Sequence, residues 1–207
     1  MTIAVIGHSG SGKSAFINAI RNIMDWTSED AAKVGIVEPT TKITKYPHPR
    51  YTNLVYCDLL GVNTPNFPRE LYLDKINIET YDFFVLVSST RFTDDDRWLA
   101  KELEHRRKPF YFVRTKIDVD VRINYQLTQK SKDETLNEIR NECQRNLLQQ
   151  KSTCPKVFLI SSCNPMDFDF PELQNQMIHD APTEKRKALI ATIDILLMQL
   201  QQYCVCE

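Results

Sequence analysis

The sequence predicts an α/β fold with a mostly parallel central sheet and helices on both of its faces. Short apolar runs recur at 2–6 (TIAVI), 54–57 (LVYC), 83–87 (FFVLV), 110–113 (FYFV) and 157–160 (VFLI), separated by longer helix-like stretches. Runs that are apolar at every position, rather than at alternate ones, suit strands covered by helices on each side. Strand and helix taking turns along the chain is the order of βαβ units.

The first run leads directly into GHSGSGKS (7–14) and then into a helix beginning SAFINAI. Residues 25–42 carry no regular pattern, and long irregular stretches in compact domains are usually functional. The run at 54–57 opens onto DLLG, and beyond the run at 83–87 Thr93 precedes Asp94, Asp95 and Asp96, acids that suit a helix amino terminus. FYFV ends in RTKID, after which 118–130 again resists assignment. Ser131 to Glu134 has capping-box spacing and starts a polar helix over 131–151 with Leu136, Ile139, Cys143 and Leu147 on one stripe. VFLI is followed by SSCN. A final segment, 183–204, places Leu189, Ile193, Leu196, Leu197, Leu200 and Tyr203 at helical spacing, a stripe that needs cover. The division expected is a nucleotide-binding domain over 1–182 and an amphipathic helix over 183–207 that opens a truncated helical domain.

Composition narrows the function classes. With 207 residues there is material for one sizeable core. A formal net charge of -1 supplies no global field for nucleic acid or an anionic membrane, so a phosphate-bearing partner has to be held by local geometry. The six cysteines, at 57, 143, 154, 163, 204 and 206, form no CxxC pair, which reads as reduced thiols of an intracellular protein. MTIAVIG lacks the basic start and cleavage site of a signal peptide, and no apolar run approaches the roughly 20 residues of a bilayer span. The expected location is cytoplasmic. CVCE puts Cys204 at a prenylation position with an unfavourable final Glu. His105-Arg106-Arg107-Lys108 reads as ordinary partners of a helix carboxyl end rather than a lipid contact.

Three of only five glycines fall within residues 7–14. Gly7-x4-Gly12-Lys13-Ser14 fits G-x-x-x-x-G-K-[ST], after a strand and before a helix, where that motif operates. Backbone N–H groups from Gly10, Ser11, Gly12, Lys13, Ser14 and Ala15 then converge on phosphates with the helix amino terminus behind them. Lys13 neutralises the β and γ oxygens and is a candidate catalytic group; the Ser14 hydroxyl ligates Mg²⁺.

The base-reading part decides between nucleotides. Thr115-Lys116-Ile117-Asp118 resembles the [NT]-K-x-D signature of GTP-binding proteins. A carboxylate at Asp118 accepts two hydrogen bonds from guanine N1–H and its amino group, whereas adenine presents an acceptor at N1. Lys116 would lie along the base and Thr115 would tie this loop to the phosphate loop. Asp58-x-x-Gly61 resembles the D-x-x-G element, the acid holding Mg²⁺ through water and the glycine N–H sensing the γ-phosphate. Gly35 opens GIVEPTT, whose Thr40, or failing it Thr41, would complete the Mg²⁺ shell when γ-phosphate is present. Ser161, Ser162 and Cys163 stand at the place of the last guanine loop. The ligands expected are therefore GTP or GDP with Mg²⁺, and the metal set is Ser14, Thr40 and Asp58.

With these motifs placed, the chain resembles the GTPase (G) domain, a P-loop NTPase fold, of the interferon-inducible immunity-related GTPases. The resemblance is carried by GHSGSGKSAFINAIR, GIVEPTT, DLLGVNTPNFP, YDFFVLVSSTRF, FYFVRTKIDVD and VFLISSCNPMDFDFPEL, collinear from residue 3 to about 182. It implies guanine nucleotide and Mg²⁺ binding, self-assembly or assembly with homologous chains through the nucleotide face, and action at intracellular membranes in cell-autonomous immunity. The family's usual D-L-P-G is D-L-L-G here, and Cys163 replaces a usual lysine.

Hydrolysis is expected to be slow. The residue after D-x-x-G, a water-orienting glutamine in Ras-like proteins, is Val62. The resemblance offers Glu38 as a catalytic group when two such domains meet; a solvated loop carboxylate is its plain alternative. Arg91 could serve as a finger in trans or simply be solvated. The rival function is a GTP-binding interaction module with negligible turnover.

Overall fold

The computed structural model describes residues 1–35, 42–49, 54–62, 68–89, 91–148 and 155–180. Its elements run β1 (Thr2–Ile6), α1 (Lys13–Ile20), β2 (Thr44–Pro47), β3 (Val55–Asp58), α2 (Arg69–Ile76), a 3₁₀ turn (Ile78–Thr80), β4 (Phe83–Ser88), α3 (Asp94–His105), β5 (Phe110–Arg114), α4 (Ile117–Thr128), α5 (Lys132–Leu148), β6 (Val157–Leu159) and α6 (Phe170–Asp180). The strands form one sheet in the order β2-β3-β1-β4-β5-β6. Every pairing is parallel except that of β2 with β3.

The continuous apolar runs make sense in this sheet because successive side chains point to opposite faces and both faces are covered. Ala4, Ile6, Cys57, Phe84, Leu86, Phe112 and Leu159 pack on one side with Tyr72, Leu99, Leu103, Cys143 and Leu147 of α2, α3 and α5. Ile3, Val5, Tyr56, Val85, Val87, Val113 and Phe158 pack on the other with Phe16, Ile17, Ile20, Phe170, Leu173 and Met177 of α1 and α6. Each fully buried aromatic or branched side chain contributes about 1.5–3 kcal/mol. The capping box expected at Ser131 forms, and the acidic helix start at Thr93 proves to be one as well. The Thr93 hydroxyl accepts from Asp96 N–H while the Asp96 carboxylate accepts from Thr93 N–H. Ser131 and Glu134 do the same at the head of α5.

Two expectations are corrected. The segment 118–130, read as irregular, is mostly helix α4. Its β-branched residues at 117, 119, 121 and 123 weaken helix propensity, and only Ile117 is buried, so no apolar stripe announces it. The helix holds by leaning on α5, where the Asn124 amide donates to the Thr135 hydroxyl at 2.8 Å. The second correction is β2, an edge strand of sequence TKYP too short and polar to register as a run. Residues 25–35 contain turns without helix or strand. The stripe at 183–204 lies outside the described residues. Among the described residues no helix is long and apolar enough to cross a membrane.

Candidate functional site

Four loops meet at the carboxyl ends of the parallel strands: residues 7–14 after β1, 59–62 after β3, 115–118 after β5 and 160–169 after β6. The chain leaves β1 for β3 on one side and later enters β4 on the other, so the crevice beside β1 is a topological switch point, where open α/β sheets bind ligands. Gly7 stands at this point with φ +148°, and a Cβ there would lie 2.1 Å from the Val87 carbonyl oxygen of β4. Only glycine lets the loop leave β1 against that strand. Gly10 and Gly12 also have positive φ, and Gly12 caps α1 without any side-chain bond, leaving the helix amino terminus open to a ligand. Ala15 follows in the first turn of α1, half-buried.

Lys13 is buried with its ammonium inside the loop, donating to the Gly7 carbonyl at 3.3 Å and the His8 carbonyl at 3.0 Å. Burial pushes its pKa down, and the charge of Asp58 partly offsets that. Asp58, the last residue of β3, sits level with Val5 of β1 and receives the Ser14 hydroxyl on Oδ2 at 2.5 Å. Its pKa is raised by burial, against the Ser14 hydrogen bond and the Lys13 charge. The other oxygen, Oδ1, is buried without a partner among the described residues. A carboxylate with an open buried oxygen beside a serine hydroxyl is the donor chemistry of a hard cation such as Mg²⁺. Gly61 lies directly on the phosphate loop, where a Cβ would come within 2.9 Å of Ser9 N.

The second half of the crevice is locked to the first. The Thr115 hydroxyl donates to the Ser11 carbonyl at 2.7 Å across 104 positions of sequence, and Thr115 N–H donates to the Ser88 carbonyl at 2.8 Å. Lys116, exposed and in the left-handed conformation with φ 60°, reaches back to the Gly10 carbonyl at 3.1 Å. Asp118 follows in the first turn of α4, half-buried and with no hydrogen-bond partner among the described residues. From β6, Ser161 is fully buried with its hydroxyl accepting from Asn164 N–H at 3.2 Å. Among the described residues the Ser162 hydroxyl is buried without a partner, and Cys163 is an exposed free thiol.

The structure thus brings Gly7, Gly10, Ser11, Gly12, Lys13, Ser14, Ala15, Asp58, Gly61, Thr115, Lys116, Asp118, Ser161, Ser162 and Cys163 to one end of the sheet. Glu38, Thr40 and Thr41 lie outside the described residues. Val62 is buried in the core, 2% exposed, and Arg91 is exposed. Sequence reasoning missed the support beneath the loops. Asp96, fully buried, accepts from the Ser88 hydroxyl at 3.0 Å as well as capping α3. Burial raises its pKa, against hydrogen bonds from Thr93 and Ser88 and the nearby His8 of the phosphate loop. The capping pattern was visible, but nothing in it showed that the acid also braces β4.

A family model described as Interferon-inducible GTPase (IIGP) matches residues 1–204. Interferon-gamma-inducible GTPase 10 of Mus musculus is 41% identical over 192 residues, covering 92% of this chain and 46% of the relative. T-cell-specific guanine nucleotide triphosphate-binding protein 2 of the same organism is 39% identical over 196 residues, covering 94% and 47%. The chain therefore spans about half the length of these relatives. Among solved structures, a probable GTP-binding protein engB superposes with a TM-score of 0.54 at 17% identity, covering 86% of this chain and 97% of the other, a likeness of fold. A phosphate-loop crevice on a mostly parallel sheet, joined to a family match along almost the whole chain, leads to one assignment: this chain belongs to the interferon-inducible GTPase family.

Proposed function

We propose that the chain is a Mg²⁺-dependent GTP-binding domain that hydrolyses GTP to GDP and phosphate slowly and is stimulated by nucleotide-dependent assembly. The observation that carries this reading is the 2.7 Å bond from Thr115 to Ser11, which fastens a guanine-reading loop to a phosphate-holding one in a single crevice. The loop amides and the α1 amino terminus bind the phosphates, and Lys13 balances their charge. Ser14 and Asp58 would hold Mg²⁺, with Thr40 as the expected third group. The ion's chemistry there is to neutralise the charge that develops on the β and γ oxygens. Asp118 accepts from the two donors of guanine, and a backbone N–H near Ser162 serves O6.

Slow turnover follows from Val62, an apolar side chain turned into the core where a water-orienting group would be needed. Assembly through the nucleotide face, with identical or homologous chains, would supply what is missing, with Glu38 or Arg91 as donor. Action at an intracellular membrane completes the proposal and rests on family relationship alone. The buried Val62 equally favours the second reading, a GTP-dependent interaction module without useful turnover.

GTP turnover per mole of protein, measured with Mg²⁺ over a range of protein concentrations, separates the two. A specific activity that climbs with concentration and vanishes in Lys13→Ala supports assembly-driven hydrolysis. A flat rate equal to that of Lys13→Ala supports the interaction module. Absence of saturable GTP or GDP binding, or equal binding of ATP, removes both.

A further inference from the structure

The base-reading acid stands on a helix that buries little of its own surface and leans on α5 farther along, at Asn124. Helix α4 buries only Ile117, while Ile123, Tyr125 and Leu127 are 45%, 56% and 78% exposed. Its amino terminus has no side-chain cap. Yet two-point recognition of guanine requires the rotation of this helix about its axis to be fixed, since a carboxylate can accept both donors only when presented edge-on.

Two contacts fix the first turn. Ile117 is fully buried and its N–H donates to the Ile160 carbonyl at 3.2 Å. Three residues on, the Asp120 carboxylate meets the Arg114 guanidinium at 2.6 Å. Arg114 ends β5, is 8% exposed, and accepts the Ile160 N–H on its carbonyl at 2.8 Å, so it belongs to the rigid sheet. Among the described residues its Nε is buried with no partner, and Asp120 is the acceptor of its side-chain bond. At about 100° per residue, Asp118 and Asp120 project to nearly opposite sides of the helix. Tying Asp120 down toward β5 therefore turns Asp118 away from the sheet, where it has no hydrogen-bond partner among the described residues.

We propose that the Arg114–Asp120 ion pair is a specificity-determining clamp that sets the rotation of α4, so that Asp118 engages both N1–H and the 2-amino group of guanine together. This rests on the guanine-binding reading above. Arg114 and Asp120 are positioning residues and touch no nucleotide. Loosening the clamp costs the two-point contact more than a one-point contact, so it erodes the preference for guanine over hypoxanthine, which has N1–H and lacks the 2-amino group.

The experiment compares GDP, IDP and ADP binding to the full chain with Mg²⁺, for the wild type, Asp120→Asn and Asp120→Glu, with thermal unfolding alongside. A hydrogen bond to a charged acceptor separates GDP from IDP by roughly tenfold or more in the wild type. In Asp120→Asn the GDP affinity falls about tenfold and the IDP affinity about threefold or less, narrowing the ratio at least about threefold. Asp120→Glu, which keeps the charge on a longer arm, narrows the same ratio with little loss of melting temperature, and it carries the test if the asparagine variant does not fold. Equal losses for GDP and IDP, or an unchanged ratio, would overturn the clamp and leave the pair as a prop for stability. A wild type that does not prefer GDP over ADP would instead sink the guanine reading itself.

Discussion

Replacing Thr115 by valine tests the lock between the two halves of the crevice. Valine keeps the shape of threonine but cannot donate, so the 2.7 Å bond to the Ser11 carbonyl disappears while the packing stays. Ser11 is fully buried, and Thr115 is 1% exposed, so solvent does not replace the lost donor readily. A buried carbonyl left without its partner costs about 1–3 kcal/mol. For a domain of this size that lowers the melting temperature by roughly 2–12 °C. To the extent that the cost falls on the phosphate-loop conformation that receives nucleotide, GDP affinity drops by about 5- to 150-fold. Thermal unfolding with and without GDP, and titration of a fluorescent GDP analogue, read the two quantities. Thr115→Ser, which retains the hydroxyl, should recover most of both. If Thr115→Val matched the wild type in melting temperature and in GDP affinity, the two loops would be held together by something other than this bond.

Gly7→Ala places a methyl group 2.1 Å from a backbone oxygen at φ +148°, and should lower stability by about 3 kcal/mol or more. Gly10→Ala, where a Cβ meets nothing within 4 Å, should cost only about 1–2 kcal/mol for its positive φ; chemical denaturation compares the two. Burial pushes the Cys57 and Cys143 thiols up to about 11, so at pH 8 about a thousandth of each is thiolate. Exposed Cys163 should take a thiol reagent far sooner than either, and GDP should slow its labelling, as mass spectrometry of the modified chain would record. Partial burial acts to raise the Asp180 carboxyl, but hydrogen bonds from His179, Tyr111, Lys156 and Gln176 outweigh it and hold the group well below the usual carboxylate range. A depressed acid contributes stability above its unfolded pKa and loses it on acidification. Asp180→Asn should therefore melt below the wild type at pH 7, with the gap closing as pH falls below about 4.

The sheet was legible because five strands are apolar on both faces, a pattern that survives without neighbours. β2 was not, since an edge strand such as TKYP has one face and one side free of constraint. Helix α4 failed for a related reason: only Ile117 is buried, and its stability is borrowed from α5. Within the proposed site, Gly7 to Ser14, Asp58, Gly61 and Thr115 to Asp118 stand out in the sequence because a phosphate and a base would demand fixed residue types at fixed spacing. Ser88 with Asp96, and Arg114 with Asp120, lie beneath those loops through contacts whose partners are 6–8 residues apart in sequence, where no local period marks them.

The antiparallel border strand has a bearing on how copies of this chain can meet. β2 runs Thr44–Pro47, so its final residue has no amide hydrogen to offer a neighbour, and Lys45 projects a cation beside it. At the opposite border β6 spans only Val157–Leu159. Among the described residues neither rim gives an incoming polypeptide enough hydrogen-bonding length to continue the ladder, which disfavours polymerisation by sheet extension there. The proposed assembly would then fall to side chains and loops, whose arrangement a bound ligand could alter and its departure undo.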